Sequence, residues 1–385
     1  MSEWKKAKLG EITESCLGKM LDAAKNRGEY KPYLANLNVR WGCFDTDNLS
    51  LMKFEEDEDE RYGIKYGDLI ICEGGEPGRC AIWKEEIPDM KIQKALHRVR
   101  PKKGLVDNFY LFYWFLLAGK RNLIDQYCTG ATIKHLPGQK LKEVVVDLPP
   151  LATQHYIATI LSRYDSLIEN YQKQIKLLEE AAQRLYKEWF VDLRFPGHEN
   201  TKIVDGVPEG WEKKCVDSIY SIKYGKNLST KLITADGDYP VYGANGVIGY
   251  YDKANCNEQV VLITSRGNGS GDVLMTYHKD AFITNNSFIV VPLNEYDYCQ
   301  LPFTYQFLKN ANFRSVRTGA AQPQLTNQSI HTVNVVLPHK ELIVEYCKRT
   351  LKSNDVIIHL RNQIRLLTEA RDRLLPKLMS GEIAV

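Results

Sequence analysis

Side chains that can read the edges of base pairs gather in two separate sets of loops. Guanine is read by arginine or lysine, adenine by asparagine or glutamine, and cytosine by aspartate or glutamate, backed by contacts to phosphate. The first half of the chain offers Asn36, Asn38, Arg40 and Trp41; Glu73, Glu76 and Arg79; Lys91, Gln93, Lys94, His97 and Arg98; and Thr132 and Lys134. The second half offers Asn245; Arg266 and Asn268; Asn285 and Asn286; and Arg314, Arg317, Gln322 and Gln324. A single residue of this kind is more often a solvated turn residue. The expectation that these contact DNA rests on their grouping.

Machinery for a reaction is missing. No GxxxxGK[ST] phosphate loop, HExxH pair or spaced Cys/His ligand set occurs, and the eight histidines have no ligand-like spacing. The stretch DLPPL at 147–151 looks superficially like an amino-methyltransferase motif, but it has an extra leucine and no aromatic residue, so it reads as a strand end. The glycine-rich run RGNGSG at 266–271 lies between two strands. It lacks the helix N-terminus that anion binding uses and reads as a hairpin turn carrying Arg266 and Asn268 outward. The chain is therefore expected to have no active site, metal or cofactor of its own. A net charge of +3 argues only weakly for a nucleic-acid partner. Nine cysteines without a CxxC pair suit a reducing compartment, and no run of about 18 apolar residues is present, so the cytoplasm is the expected location.

What positions those loops is an internal repeat. WKKAKLGEI at 4–12 resembles WEKKCVDSI at 211–219, an offset of 207. LIICEGGEPG at 69–78 is matched to LITSRGNGSG at 262–271, an offset of 193. TGA at 129–131 matches TGA at 318–320, an offset of 189. That last offset holds through two long helices. In the first, Ile157, Leu161, Tyr164, Ile168, Tyr171, Ile175, Leu178, Ala182, Leu185 and Trp189 follow at steps of 4 and 3, the seam of a coiled coil. The second repeats the register with Tyr346, Thr350, Ser353, Ile357, Leu360, Ile364, Leu367, Arg371, Leu374 and Leu378. Matching seams predict that the helices pack on each other.

The chain thus divides into a mixed α/β globular domain at 1–150, a long helix at 151–195, a linker at 196–210, a second globular domain at 211–338 and a second helix at 339–381. Residues 68–72 and 79–83 flank a Gly/Pro turn and predict a hairpin. Residues 109–117 predict a short buried helix, 144–148 a strand, and the acidic run 55–60 a solvated loop.

With the repeat in hand, the whole chain resembles the specificity (S) subunits of type I restriction–modification systems. LPPLATQ at 148–154, the helix end and VDLRFPGHE at 185–199, TGATI at 129–133 and GVPEGW at 206–211 carry the resemblance. The family's Gln-x-x-Ile after the prolines, Gln154 to Ile157 in the first copy, is weaker in the second, where Leu342, Ile343 and Glu345 stand. The resemblance implies an α+β chain of two target recognition domains, one per half of a split DNA site, with two helices forming an antiparallel coiled coil and an internal pseudo-twofold. It also implies docking of two methyltransferase (M) subunits, which bind S-adenosylmethionine and methylate adenine N6, and of restriction (R) subunits that use ATP and magnesium. The alternative is the specificity subunit of a bipartite enzyme whose partner fuses nuclease and methylase. Residues 157–189 make 32 helical steps, about 48 Å, which limits the distance between half-site centres to about 14 base pairs.

Overall fold

The computed structural model describes residues 4–22, 26–130, 132–319 and 322–384. It divides into two compact units, Met1–Ile168 with Leu366–Val385, and Glu169–Arg365. Both boundaries cut the long helices, so each unit combines a globular domain with parts of both.

In unit 1 the strand Lys5–Lys8 pairs antiparallel with Val145–Leu148, Lys5 opposite Leu148. In unit 2 Glu212–Cys215 pairs with Asn334–Leu337, Glu212 opposite Leu337. The offsets of 207 and 189 thus meet in one pairing. Unit 1 then builds a four-stranded antiparallel sheet in the order Thr13–Leu17, Leu96–Pro101, Leu69–Cys72, Cys80–Ile82. Unit 2 repeats it with Tyr220–Tyr224, Ser287–Pro292, Val261–Thr264 and Val273–Met275. A three-stranded sheet accompanies each: Ser50–Phe54, Glu29–Leu34 and Lys91–Ile92 in one, Gly246–Tyr251, Tyr239–Gly243 and Phe282–Ile283 in the other. Both expected hairpins form.

The strand register corrects the sequence alignment by one residue. Leu69–Cys72 superposes in role on Val261–Thr264, an offset of 192, because Leu69 and Ile71 join the main core as Val261 and Ile263 do. Ile70 and Leu262 face the smaller clusters on the other side. An offset of 193 would turn every side chain to the wrong face. The difference in domain length sits mostly in one loop. Unit 1 has residues 35–49 between its paired strands, whereas unit 2 has only Ala244 and Asn245.

Across the main core lies Asn108–Lys120, started by Asp107, whose carboxylate accepts from the Tyr110 N–H at 2.8 Å. Its Leu111, Tyr113 and Phe115 are almost fully buried. The first long helix, Leu151–Tyr186, is tied to this element by Gln154: the Asp107 N–H donates to its Oε1 and its Nε2 donates to the Pro149 carbonyl, both at 2.9 Å. The residue 189 positions on, Ile343, is also buried, so the second copy fills the same kind of place with an apolar side chain.

The second long helix spans Lys340–Met379. Within unit 1, Ile157, Ala158 and Leu161 share a core with Leu375, Leu378 and Met379, and Asp165 pairs with Arg371 at 2.5 Å. Within unit 2, Glu179 pairs with Arg361 at 2.9 Å, and the Tyr346 hydroxyl donates to the Ala182 carbonyl at 3.0 Å. Partners fall in number as the first helix rises, so the helices pack antiparallel in each unit. The seam is not closed by its twin alone. Ile157 and Leu161 also lie against the domain core with Tyr113 and Phe115. Ile175, Ile357 and Leu360, with Tyr171, Leu178 and Ile364, form a separate cluster of unit 2. Tyr164, Leu185, Leu367 and Leu374 are half-buried, and Ile168 is buried.

Two segments differ from expectation. The acidic run is largely exposed, as expected, but it is a helical turn, Glu56–Glu58 followed by Asp59–Tyr62, and not a loop. Glu58 pairs with Lys19 and Asp59 with Lys91 (2.9 Å); both lysine side chains are only 3% exposed. A buried ammonium needs a counter-ion, so this turn neutralises the interior. The stretch after the first helix is also folded. A π-helical turn, Lys187–Val191, leads into a small hairpin of Ile203–Val204 with Val207–Pro208, and Trp189, Phe195 and Trp211 are buried in the unit 2 core.

Candidate nucleic-acid interface

In both units the four-stranded sheet ends in the same constellation of loops. In unit 1 the Leu136 N–H donates to the Glu73 carbonyl at 2.7 Å, and Thr129 and His135 exchange backbone bonds at 2.7 and 2.8 Å. In unit 2 the Leu325 N–H donates to the Ser265 carbonyl at 2.8 Å, and Thr318 and Gln324 exchange bonds at 2.9 Å. The shared Thr-Gly pair has a steric cause. Gly130 (φ +94°) and Gly319 (φ +84°) are left-handed, and an added Cβ would lie 2.2 and 2.6 Å from the Ile133 and Gln322 carbonyl oxygens. Ala131 and Ala320 lie outside the described residues.

The unit 1 edge joins three of the predicted groups. Asn36 Nδ2 donates to the Gly74 carbonyl at 2.7 Å, and Arg79 Nη2 donates to Asn36 Oδ1 at 2.7 Å. Glu76 accepts from Arg79 Nη1 at 3.2 Å and from Trp41 Nε1 at 2.7 Å. Trp41 lies over Gly119, where a Cβ would meet its ring at 2.5 Å, so the indole props the loop. Arg40 stands 4.0 Å from Asp45 and Lys134 2.6 Å from Asp125. The hydrogen bond to Asp125 raises the Lys134 pKa. Exposed pairs of this kind contribute little to stability. Thr132 is exposed beside Lys134, and Glu73, Gln93 and Lys94 are half-buried near the hairpin base.

Four predicted contacts do not reach the surface. Asn38 is buried and caps its own turn, its Oδ1 accepting from the Ala35 N–H and its Nδ2 donating to the Asp45 carbonyl. Arg98 is buried and donates to the Glu60 and Gly63 carbonyls at 2.9 and 2.8 Å. His97 is buried with Nε2 3.0 Å from the Leu136 carbonyl. Lys91 is held by Asp59. Their polar atoms serve the fold and leave nothing for a base.

Burial holds the His97 pKa below its ordinary value. The unfolded chain therefore takes up the proton first, and stability falls as pH drops below about 6.5. Thermal melts of the full chain at neutral and mildly acidic pH should show this loss, and His97→Gln should flatten it. An equal pH slope in the variant would exclude His97 as the source.

The unit 2 edge is built from backbone. The Ser265 N–H donates to the Asn286 carbonyl at 2.8 Å, Ser265 Oγ donates to the Asn285 carbonyl at 3.1 Å, and Thr264 Oγ1 donates to the Ala244 carbonyl at 2.6 Å. Asn245, Arg266, Asn268, Gln322 and Gln324 are exposed on it. Arg314 pairs with Asp272 at 2.6 Å, while Arg317 keeps Nε and Nη2 buried without a protein acceptor. Asn285 and Asn286 are half-buried. Two exposed residues escaped the sequence reading. His135 occupies the place of Gln324, as the 189 offset would have indicated, and Lys226 accepts through its carbonyl from the Asn285 N–H at 3.0 Å. Among the described residues no cluster of metal-ligating side chains occurs, and no helix is long and apolar enough to cross a membrane.

A family model described as "Type I restriction modification DNA specificity domain" matches residues 1–180 and again 208–366. The chain is 27% identical over 346 residues to the type I restriction enzyme MjaIX specificity subunit of Methanocaldococcus jannaschii, covering 83% of this chain and 78% of that protein. It is 23% identical to the MjaVIII specificity subunit of the same organism, covering 100% of this chain and 93% of that one. The crystal structure of a type I restriction–modification S subunit from M. genitalium shares the fold, with a TM-score of 0.56, 19% identity, and coverage of 97% of this chain and 96% of that one.

Proposed function

We propose, from the premise that this chain belongs to the type I restriction–modification DNA specificity family, that each unit reads one half of a bipartite, asymmetric DNA site. The observation that carries this reading is the repeated loop edge: the same backbone bonds support Asn36, Glu76, Arg79 and Lys134 in one unit and Asn245, Arg266, Asn268 and Gln324 in the other. A common scaffold with different polar groups suits two readers of different sequences. The number of residues in the long helices sets the unread spacer. Helix flanks outside the seam dock two M subunits, and R subunits join that assembly. Methyl transfer from S-adenosylmethionine and ATP- and magnesium-dependent cleavage belong to those partners.

Methylation sequencing of a host carrying the chain with its M partner tests the reading, which expects a split motif with an unread centre. Arg266→Ala should relax one base pair of a single half-site, a loss of about 1–3 kcal/mol of discrimination. Altered bases in both half-sites would sink the assignment of one unit to each.

A further inference from the structure

The loop edge of unit 1 carries an aliphatic side chain that the polar groups around it hold outward. Leu37 is 65% exposed in the helical turn Asn36–Asn38. This turn belongs to the loop 35–49, for which unit 2 has only Ala244 and Asn245. The neighbours of Leu37 engage the protein itself. Asn36 Nδ2 donates to the Gly74 carbonyl and its Oδ1 accepts from Arg79, each at 2.7 Å, while Asn38 caps the turn from inside. Arg40 Nη1 donates to the Leu37 carbonyl at 2.7 Å. Just beyond, Val39 is fully buried and the Gly42 N–H donates to the Cys80 carbonyl at 3.0 Å. The turn is thus fixed on both sides, and the side chain it presents is apolar.

A leucine exposed by itself is ordinary on a protein surface. This one stands beside groups that suit the major groove, since Arg79 bonds Asn36 and Glu76 accepts from Trp41 of the same loop. In that groove thymine presents a methyl group that the other three bases lack, and an apolar side chain recognises it by burying it. We infer that Leu37 covers the C5 methyl of one thymine in the half-site read by unit 1, as a specificity-determining residue. A loop already held in place loses little freedom on binding, so ordering does not offset the gain from covering the methyl. The contact belongs to one half-site only, because unit 2 replaces the whole loop by two residues. This rests on the sequence-reading function above.

The test measures duplex binding by the full chain with its methyltransferase partner. Each thymine of the split site is replaced in turn by uracil, which differs only in lacking the methyl. At one position, in the half-site that Arg266→Ala leaves unaltered, uracil should weaken the wild-type complex by about three- to tenfold. Leu37→Ala should bind the thymine duplex more weakly by a similar factor and lose nothing more with uracil at that position. Its discrimination at the other base pairs should match the wild type. Uracil tolerated at every position would overturn the proposal. So would a Leu37→Ala complex that still distinguishes thymine from uracil. A variant weakened alike on thymine and uracil duplexes would also overturn it, making Leu37 a wedge between bases or a contact to a partner protein. A wild-type complex that binds no duplex selectively would instead overturn the sequence-reading function, and the role of Leu37 with it.

Discussion

Inserting one heptad at matched levels of both long helices is expected to lengthen the unread spacer by about three base pairs and leave the bases of both half-sites unchanged. Seven residues add about 10 Å of helix, and each base pair occupies about 3.4 Å. A heptad preserves the 4-and-3 seam, so Ile175, Ile357 and Leu360 still meet equivalent neighbours. The same insertion in one helix alone leaves every seam residue beyond it out of step with the other helix. That variant is expected to lose both stability and site-specific methylation. Methylation sequencing reads the result directly, and new bases at an unchanged spacing would defeat the idea that helix length sets the spacer.

Asp165→Ala should destabilise unit 1 by about 2–4 kcal/mol. One carboxylate oxygen of Asp165 pairs with Arg371 Nη1 and the other accepts from the Tyr113 hydroxyl, each at 2.5 Å. The Arg371 side chain is 16% exposed, so alanine leaves a poorly hydrated cation with only Asp372 beside it, and Asp372 is already shared with Lys120. Asp165→Asn should fall between the two, keeping an acceptor for the phenol while losing the charge. Urea unfolding of the full chain measures both. A cost under about 0.5 kcal/mol for the alanine variant would mean that water replaces the carboxylate and that the network does not hold the helices to the domain.

The architecture was legible where periodicity carries it. The seam, the repeat, the hairpin after Leu69 and the helix after Asp107 all follow from local pattern, and apolar spacing fixes which helix face is covered. The covering partner was less visible, since Ile157 is buried by Tyr113 and Phe115 as well as by Leu375. The slip between Leu69 and Val261 arose because all four residues of Leu69–Cys72 are fully buried. A strand covered on both faces has no polar alternation to fix its register. Asn38, His97 and Arg98 looked like contacts because their acceptors, the carbonyls of Asp45, Leu136, Glu60 and Gly63, come from elsewhere in the fold. The acidic run is exposed as expected, but its pairing was hidden for the same reason, since the lysines it neutralises lie far away in sequence.

Each globular domain begins and ends in one pair of strands. Lys5 faces Leu148 in the first and Glu212 faces Leu337 in the second, although the segments enclosed differ by 18 residues. Such a domain is a cassette whose two seams lie side by side. A foreign domain with different internal loops is expected to seat on the same helices if its terminal strands keep this pairing and its own helix keeps the face that covers Ile157 and Leu161. On the proposed reading, exchanging whole cassettes at these two adjacent joints is expected to change one half-site only, with the helix residues that touch the domain, Gln154, Ile157, Leu161 and Asp165, kept as they are.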